Sequence, residues 1–166
     1  MASQRTVTLR PSDPEVGEVV AAAGLTPRFD AIRAELEVPG EFPAEVVAEA
    51  ERVAAQPLSR PERDESDLPF VTIDPPGSMD LDQAMHLERD GEGYRVRYAI
   101  AHLESFVEPG GAIDEEARRR GQTIYAPDER TPLHPPVMSE GAASLLPEED
   151  RPAFVWELHL DAAGAV

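Results

Sequence analysis

Three aspartates crowd one short stretch of this chain: Asp74, Asp80 and Asp82 stand in Asp74-Pro75-Pro76-Gly77-Ser78-Met79-Asp80-Leu81-Asp82-Gln83. Carboxylates brought this close repel one another unless a cation or protons neutralise them. Oxygen donors of this kind suit a hard ion such as Mg²⁺, which takes carboxylates and keeps several of its waters. The competing reading is plain turn chemistry, because Asp bonds its own backbone and is common in loops. A calcium loop of EF-hand form is excluded: the twelfth position counted from Asp74 is Met85, where that motif needs a glutamate.

The flanking elements must place these acids. Phe70 to Ile73 is β-branched and aromatic and is expected as a short buried strand. Pro75-Pro76-Gly77-Ser78 forces a turn, so Asp74 should end that strand while Asp80 and Asp82 return across a loop. Gln83 to Arg89 reads as the next strand, Asp90-Gly91-Glu92-Gly93 as a hairpin turn and Tyr94 to His102 as its partner. Val96, Tyr98 and Ile100 alternate with Arg95 and Arg97, the pattern of an antiparallel sheet exposed on one side. Asp114 to Arg120 is expected as a helix, with acids first and bases last. Gln122 to Tyr125 follows as a short strand, Pro127 to Leu146 as mostly loop, and Ala153 to Leu160 as a last strand. Asp161-Ala162-Ala163-Gly164 opens a hairpin with no second arm before Val166, so an incomplete domain is expected.

Upstream, Thr6 to Leu9 could form a strand. Asp13-Pro14 and Thr26-Pro27 are helix starts, and a third helix is expected from Pro43 to Ala55. The stripes Phe29, Ile32, Leu36 and Val46, Val47, Ala50, Val53 read as core. Leu58 to Asp67 is charged and carries Pro61, as a linker would. The expected fold class is α+β. Residues 1–57 form a small helical N-terminal segment, 58–67 a charged linker, and 68–166 the antiparallel-sheet start of a second domain.

Composition narrows the function classes. The 166 residues hold 33 acids against 15 bases, a net charge of −18, which opposes indiscriminate binding to nucleic acid. All the bases are arginine. With no cysteine there are no disulfides, thiolate zinc sites or cysteine nucleophiles, which fits a cytoplasmic location. The N-terminus shows no apolar signal region, and no apolar run approaches the roughly 18 residues of a membrane span.

From Asp67 to Leu160 the chain resembles the RNB family, the catalytic domain of ribonuclease II and ribonuclease R. The motifs are Val71-Thr72-Ile73-Asp74 with Asp80-Leu81-Asp82-Gln83-Ala84, then Tyr98-Ala99-Ile100-Ala101-His102-Leu103 with Phe106-Val107. After them come Ile124-Tyr125-Ala126-Pro127-Asp128, Pro132-Leu133-His134-Pro135 and Ser139-Glu140-Gly141-Ala142-Ala143-Ser144-Leu145. The resemblance implies an RNB-type exoribonuclease that hydrolyses single-stranded RNA from the 3′ end to 5′-nucleoside monophosphates with Mg²⁺. It implies Asp74, Asp80, Asp82 and Gln83 around the metal, Asp80 and Asp82 as catalytic residues, and Tyr125 stacked on an RNA base. This chain departs from the family where Gln83 replaces the second of two adjacent aspartates and His102 stands where Asp is frequent. Gln83 motivates a second expectation, an RNA-binding or regulatory RNB-like module with weakened or lost hydrolysis. The fragment by itself is expected to be inactive. His86 and His134 read as structural. No membrane partner is expected, and the oligomeric state is open.

Overall fold

A computed structural model describes residues 24–57 and 63–166. The expected strand Thr6–Leu9, the helix from Asp13 and residues 58–62 lie outside the described residues. Contacts divide the chain into two compact units, Met1–Phe42 with Glu116–Leu133, and Pro43–Glu115 with His134–Val166. The α+β class holds: short helices accompany an antiparallel sheet.

The second unit is built on a sheet of order β1-β2-β5, where β1 is Gln83–Asp90, β2 is Gly93–Ala101 and β5 is Ala153–Leu160. The turn residues fix the register. Asp90 pairs with Gly93, which sets Met85 opposite Tyr98 and Gln83 opposite Ile100. β5 pairs antiparallel with β2, so Trp156 lies opposite Tyr98 and Phe154 opposite Ile100. Gly93 is required where it stands, because a Cβ there would lie 2.1 Å from the Leu160 carbonyl oxygen.

The covered face of this sheet is the polar one. Ala84, His86, Arg97 and Ala99 are all buried. The Arg97 guanidinium meets Glu88 at 2.7 Å, Glu157 at 3.2 Å and Glu65 at 3.3 Å. Arg63 joins the same group through Glu65 and Glu157, and the Phe70 ring lies 6.0 Å from that of His86. The described part of the charged stretch is thus laid against the sheet. The opposite face keeps Leu87, Phe154 and Trp156 at 59%, 42% and 52% exposure. Alternation shows which side chains share a face, and here the shared arginine, not the shared apolar set, is the one that finds cover.

The expected strand Phe70–Ile73 does not form. Only Val71 bridges Met85, through paired bonds of 2.8 and 2.9 Å, and Ile73 is 81% exposed. Pro69, Pro75 and Pro76 have no N–H to extend a ladder. Helix α2, Ala44–Ala54, buries Val46 and Ala50 and packs against the π-type turn Met138–Ala142. That turn interrupts the stretch expected as loop.

In the first unit, α1, Thr26–Glu35, buries none of its residues. Its expected core stripe is open, with Ile32 48% and Leu36 68% exposed. α3, Ala112–Arg120, carries Asp114 and Glu115 in its first turn and three arginines in its last. Its C-terminal part belongs to this unit, where Glu116 accepts from Arg119 and Arg120. Arg120 also donates to the carbonyls of Gly40 (2.8 Å) and Pro132 (3.2 Å), and its guanidinium lies 3.7 Å over the Phe42 ring. The two-residue strands β3, Ile124–Tyr125, and β4, Arg130–Thr131, pair as a small hairpin.

Candidate functional site

The acidic loop starts from the Val71 bridge. Ser78 N–H donates to Pro75 C=O at 3.1 Å, and Gly77 adopts φ +83°. That is a turn with proline at its second position and glycine at its third, where positive φ is required. The loop returns through Leu81, which is buried, and reaches β1 where Ala101 N–H donates to the Asp82 carbonyl at 2.9 Å. Ser144 bonds the backbone on both sides of Asp80: its hydroxyl donates to Met79 C=O at 2.6 Å and accepts from Leu81 N–H at 2.9 Å.

A cleft of about 140 Å³ opens beside this loop, walled by Asp74, Asp82, Gln83 and Tyr98 together with Val71, Ile73, Ala84 and Met85. Two of the three expected carboxylates and the neighbouring amide therefore share one surface. Asp80 is half-buried and is not part of that wall. Among the described residues, no three His, Asp or Glu side chains converge closely enough to hold a metal ion. The donor types in the cleft, two carboxylates and one amide oxygen, are those a hard cation takes. The residues present therefore fit Mg²⁺ in chemistry, while three acids do not close on one point. The Gln83 amide oxygen accepts a bond from the Tyr98 hydroxyl. The two residues lie on one sheet face, Tyr98 being opposite Met85 and so diagonal to Gln83.

Tyr125 is in the first unit and 54% exposed. Its hairpin is braced by Asp128, which takes two parallel 2.9 Å bonds from Arg33 of α1. The Arg33 guanidinium holds the Asp128 carboxyl below its ordinary range. His102 meets the Ser105 hydroxyl at 2.7 Å and stacks on Phe154 at 4.1 Å, a structural setting. Burial pushes the His134 imidazole pKa below its ordinary value, favouring the neutral form. A larger concavity of about 480 Å³ lies at the hairpin end of the strands, among Asp90, Tyr94, His159 and Asp161, and contains none of the candidate residues.

Sequence reasoning did not single out Ser144 or Tyr98 for a role at this loop. Tyr98 was within reach, since the turn at Asp90–Gly93 sets its register against Gln83. Ser144 was not, because it meets Leu81 across 63 positions.

Fold and site together define an α+β domain with an oxygen-donor cleft at the edge of an antiparallel sheet. Residues 62–166 match the family profile described as the RNB domain. The chain is 37% identical over 130 residues to Ribonuclease R of Acidithiobacillus ferrooxidans, covering 76% of this chain and 30% of that protein. Two solved structures of Mycoplasma genitalium RNase R are similar, one in complex with double-stranded RNA and one with ribose-methylated single-stranded RNA. Both have TM-score 0.75 and 28% identity over 83% of this chain, which spans 25% and 22% of them. The chain belongs to the RNB-domain family.

Proposed function

We propose that this chain carries the metal-binding end of an exoribonuclease site that hydrolyses single-stranded RNA from its 3′ end to 5′-nucleoside monophosphates in the cytoplasm. The observation that carries the reading is the shared cleft of Asp74, Asp82 and Gln83 in a chain of the RNB family. Mg²⁺ is the proposed cofactor, and when bound it supplies Lewis-acid polarisation of the phosphodiester and an acidified water. Asp74 and Asp82 would hold it, with Gln83 as a neutral donor and Asp80 at the loop's other shoulder. Asp80 and Asp82 would orient the attacking water. Exposed Tyr125 offers a ring on which any base can stack, which suits cleavage without sequence preference. The RNA held by the Mycoplasma genitalium enzyme supports RNA as the ligand here. The proposed division keeps 1–57 as a helical segment, 58–67 as a boundary stretch and 68–166 as the catalytic part.

The alternative, an RNB-like module that binds RNA without cutting it, is favoured by one contact: Tyr98 already occupies part of Gln83's acceptor capacity. The deciding experiment incubates the natural protein carrying this sequence with single-stranded RNA and Mg²⁺. Mononucleotide release that is lost in Asp82→Asn, with RNA binding retained, supports the enzyme. Binding without release, in the unsubstituted protein, supports the module. The 166-residue chain alone is expected to show no turnover.

A further inference from the structure

Between Gly77 and Asp82 the loop forms no regular structure, yet it must deliver Asp82 to the cleft. One side chain supplies much of that definition. Ser144 is 2% exposed. It donates to Met79 C=O (2.6 Å) and accepts from Leu81 N–H (2.9 Å), so both peptide groups flanking Asp80 are tied to one oxygen. Next to it, Leu145 N–H donates to Leu81 C=O at 2.8 Å. A hydroxyl is the small group that donates and accepts at once, so no apolar residue of similar size could do the same.

The anchor is itself supported. Ser144 N–H donates to Gly141 C=O at 3.1 Å and Ala143 N–H to Met138 C=O at 2.9 Å. Both carbonyls belong to the π-type turn that α2 packs against, and Met138 there is fully buried. A continuous series of contacts runs from α2 through the turn to Ser144, and from Ser144 to the backbone at Asp80.

We propose that Ser144 is a positioning residue of the acidic centre, setting the backbone of Met79–Leu81 and through it the directions of the Asp80 and Asp82 carboxylates. The consequence for metal binding rests on the function proposed above; the positioning itself does not. Outer contacts that orient a ligand typically change metal affinity by about 10- to 100-fold when removed.

The test compares the 166-residue chain with Ser144→Ala and Ser144→Thr, the second keeping the hydroxyl. Three quantities are read: amide hydrogen exchange, the Mn²⁺ titration midpoint by electron paramagnetic resonance, and the urea midpoint. In Ser144→Ala, exchange at Leu81 should accelerate by about tenfold while β2 amides such as Val96 keep their rates, and the Mn²⁺ midpoint should rise by about tenfold. Ser144→Thr should restore both towards the unsubstituted values. Unchanged Leu81 exchange in Ser144→Ala overturns the proposal. So does acceleration that Leu81 and Val96 share in step with the urea midpoint, which would make Ser144 ordinary core. Should the unsubstituted chain take up no Mn²⁺, the metal reading falls, and local exchange at Leu81 alone decides the positioning.

Discussion

Asp128→Asn tests whether the Tyr125 hairpin is held by charge. Asp128 receives both terminal nitrogens of Arg33 at 2.9 Å, and the two side chains are 10% and 17% exposed. Hydrogen bonds to charged groups contribute about 1.5–3 kcal/mol when well desolvated. Here the lower part of that range applies, because Arg33 keeps Asp30 at 2.7 Å and Glu129 at 3.2 Å after the substitution. The amide also turns one acceptor into a donor facing the guanidinium. Together these give a loss of about 1.5–2 kcal/mol, or roughly 1 M in urea midpoint for a small domain. The pH dependence supplies the sign. Arg33 lowers the folded Asp128 pKa below its ordinary 3.8. Its contribution is therefore complete above that value and is lost as pH falls through the folded pKa. Urea titrations of the unsubstituted chain and of Asp128→Asn should differ at pH 7 and pH 5, and converge as pH drops below about 3.8. A gap that stays constant into strong acid would refute the charge argument, and no gap at pH 7 would refute the brace.

Three further outcomes are expected. Arg120→Met removes a cation whose side chain is 1% exposed and bonds Glu116, Gly40 and Pro132; it should cost about 3 kcal/mol by chemical denaturation, the low end for breaking a buried pair because Arg119 stays on Glu116. Gly93→Ala drives a methyl against the Leu160 carbonyl at the end of β5 and should cost roughly 1–3 kcal/mol as an overpacked contact, with hydrogen exchange rising first in Leu158–Leu160. Tyr125→Ala should weaken RNA binding by about 1–3 kcal/mol, equally for all four homopolymers; a loss confined to one base would argue for edge readout in place of stacking.

The hairpin was legible in sequence because its information is local. Gly91 and Gly93 specify the turn, the turn sets the register, and the register places Gln83, Met85 and Tyr98 on one face. The helix Ala112–Arg120 was legible for the same reason, its charges being ordered along its own dipole. What failed depends on partners distant in the chain. Phe70–Ile73 has strand composition but gains one bridge only, and the prolines that flank it, Pro69, Pro75 and Pro76, offer nothing to lengthen a ladder. Phe29, Ile32 and Leu36 have helical spacing, yet α1 buries none of its residues. The burial of Arg97 depends on Glu65 and Glu157, each reached across a long stretch of chain. Spacing put Asp74, Asp80 and Asp82 in one loop, and it could not show that Asp74 and Asp82 wall a cleft that Asp80 does not line.

The two functional readings meet at Gln83. An amide oxygen carries two acceptor sites, and Tyr98 takes one. One remains for a cation, so the contact does not forbid ligation. A neutral donor also removes a negative charge from a cleft that already holds Asp74 and Asp82, in a chain of net charge −18. Less negative charge weakens the hold on a divalent ion, and it equally lowers the repulsion that an incoming phosphodiester meets. Tyr98 adds a fixed dipole without adding charge, keeping the amide oriented at no electrostatic cost to a polyanion. Under the proposed function the pair therefore offers one oriented neutral donor beside Asp74 and Asp82, and a Gln at this position is compatible with hydrolysis.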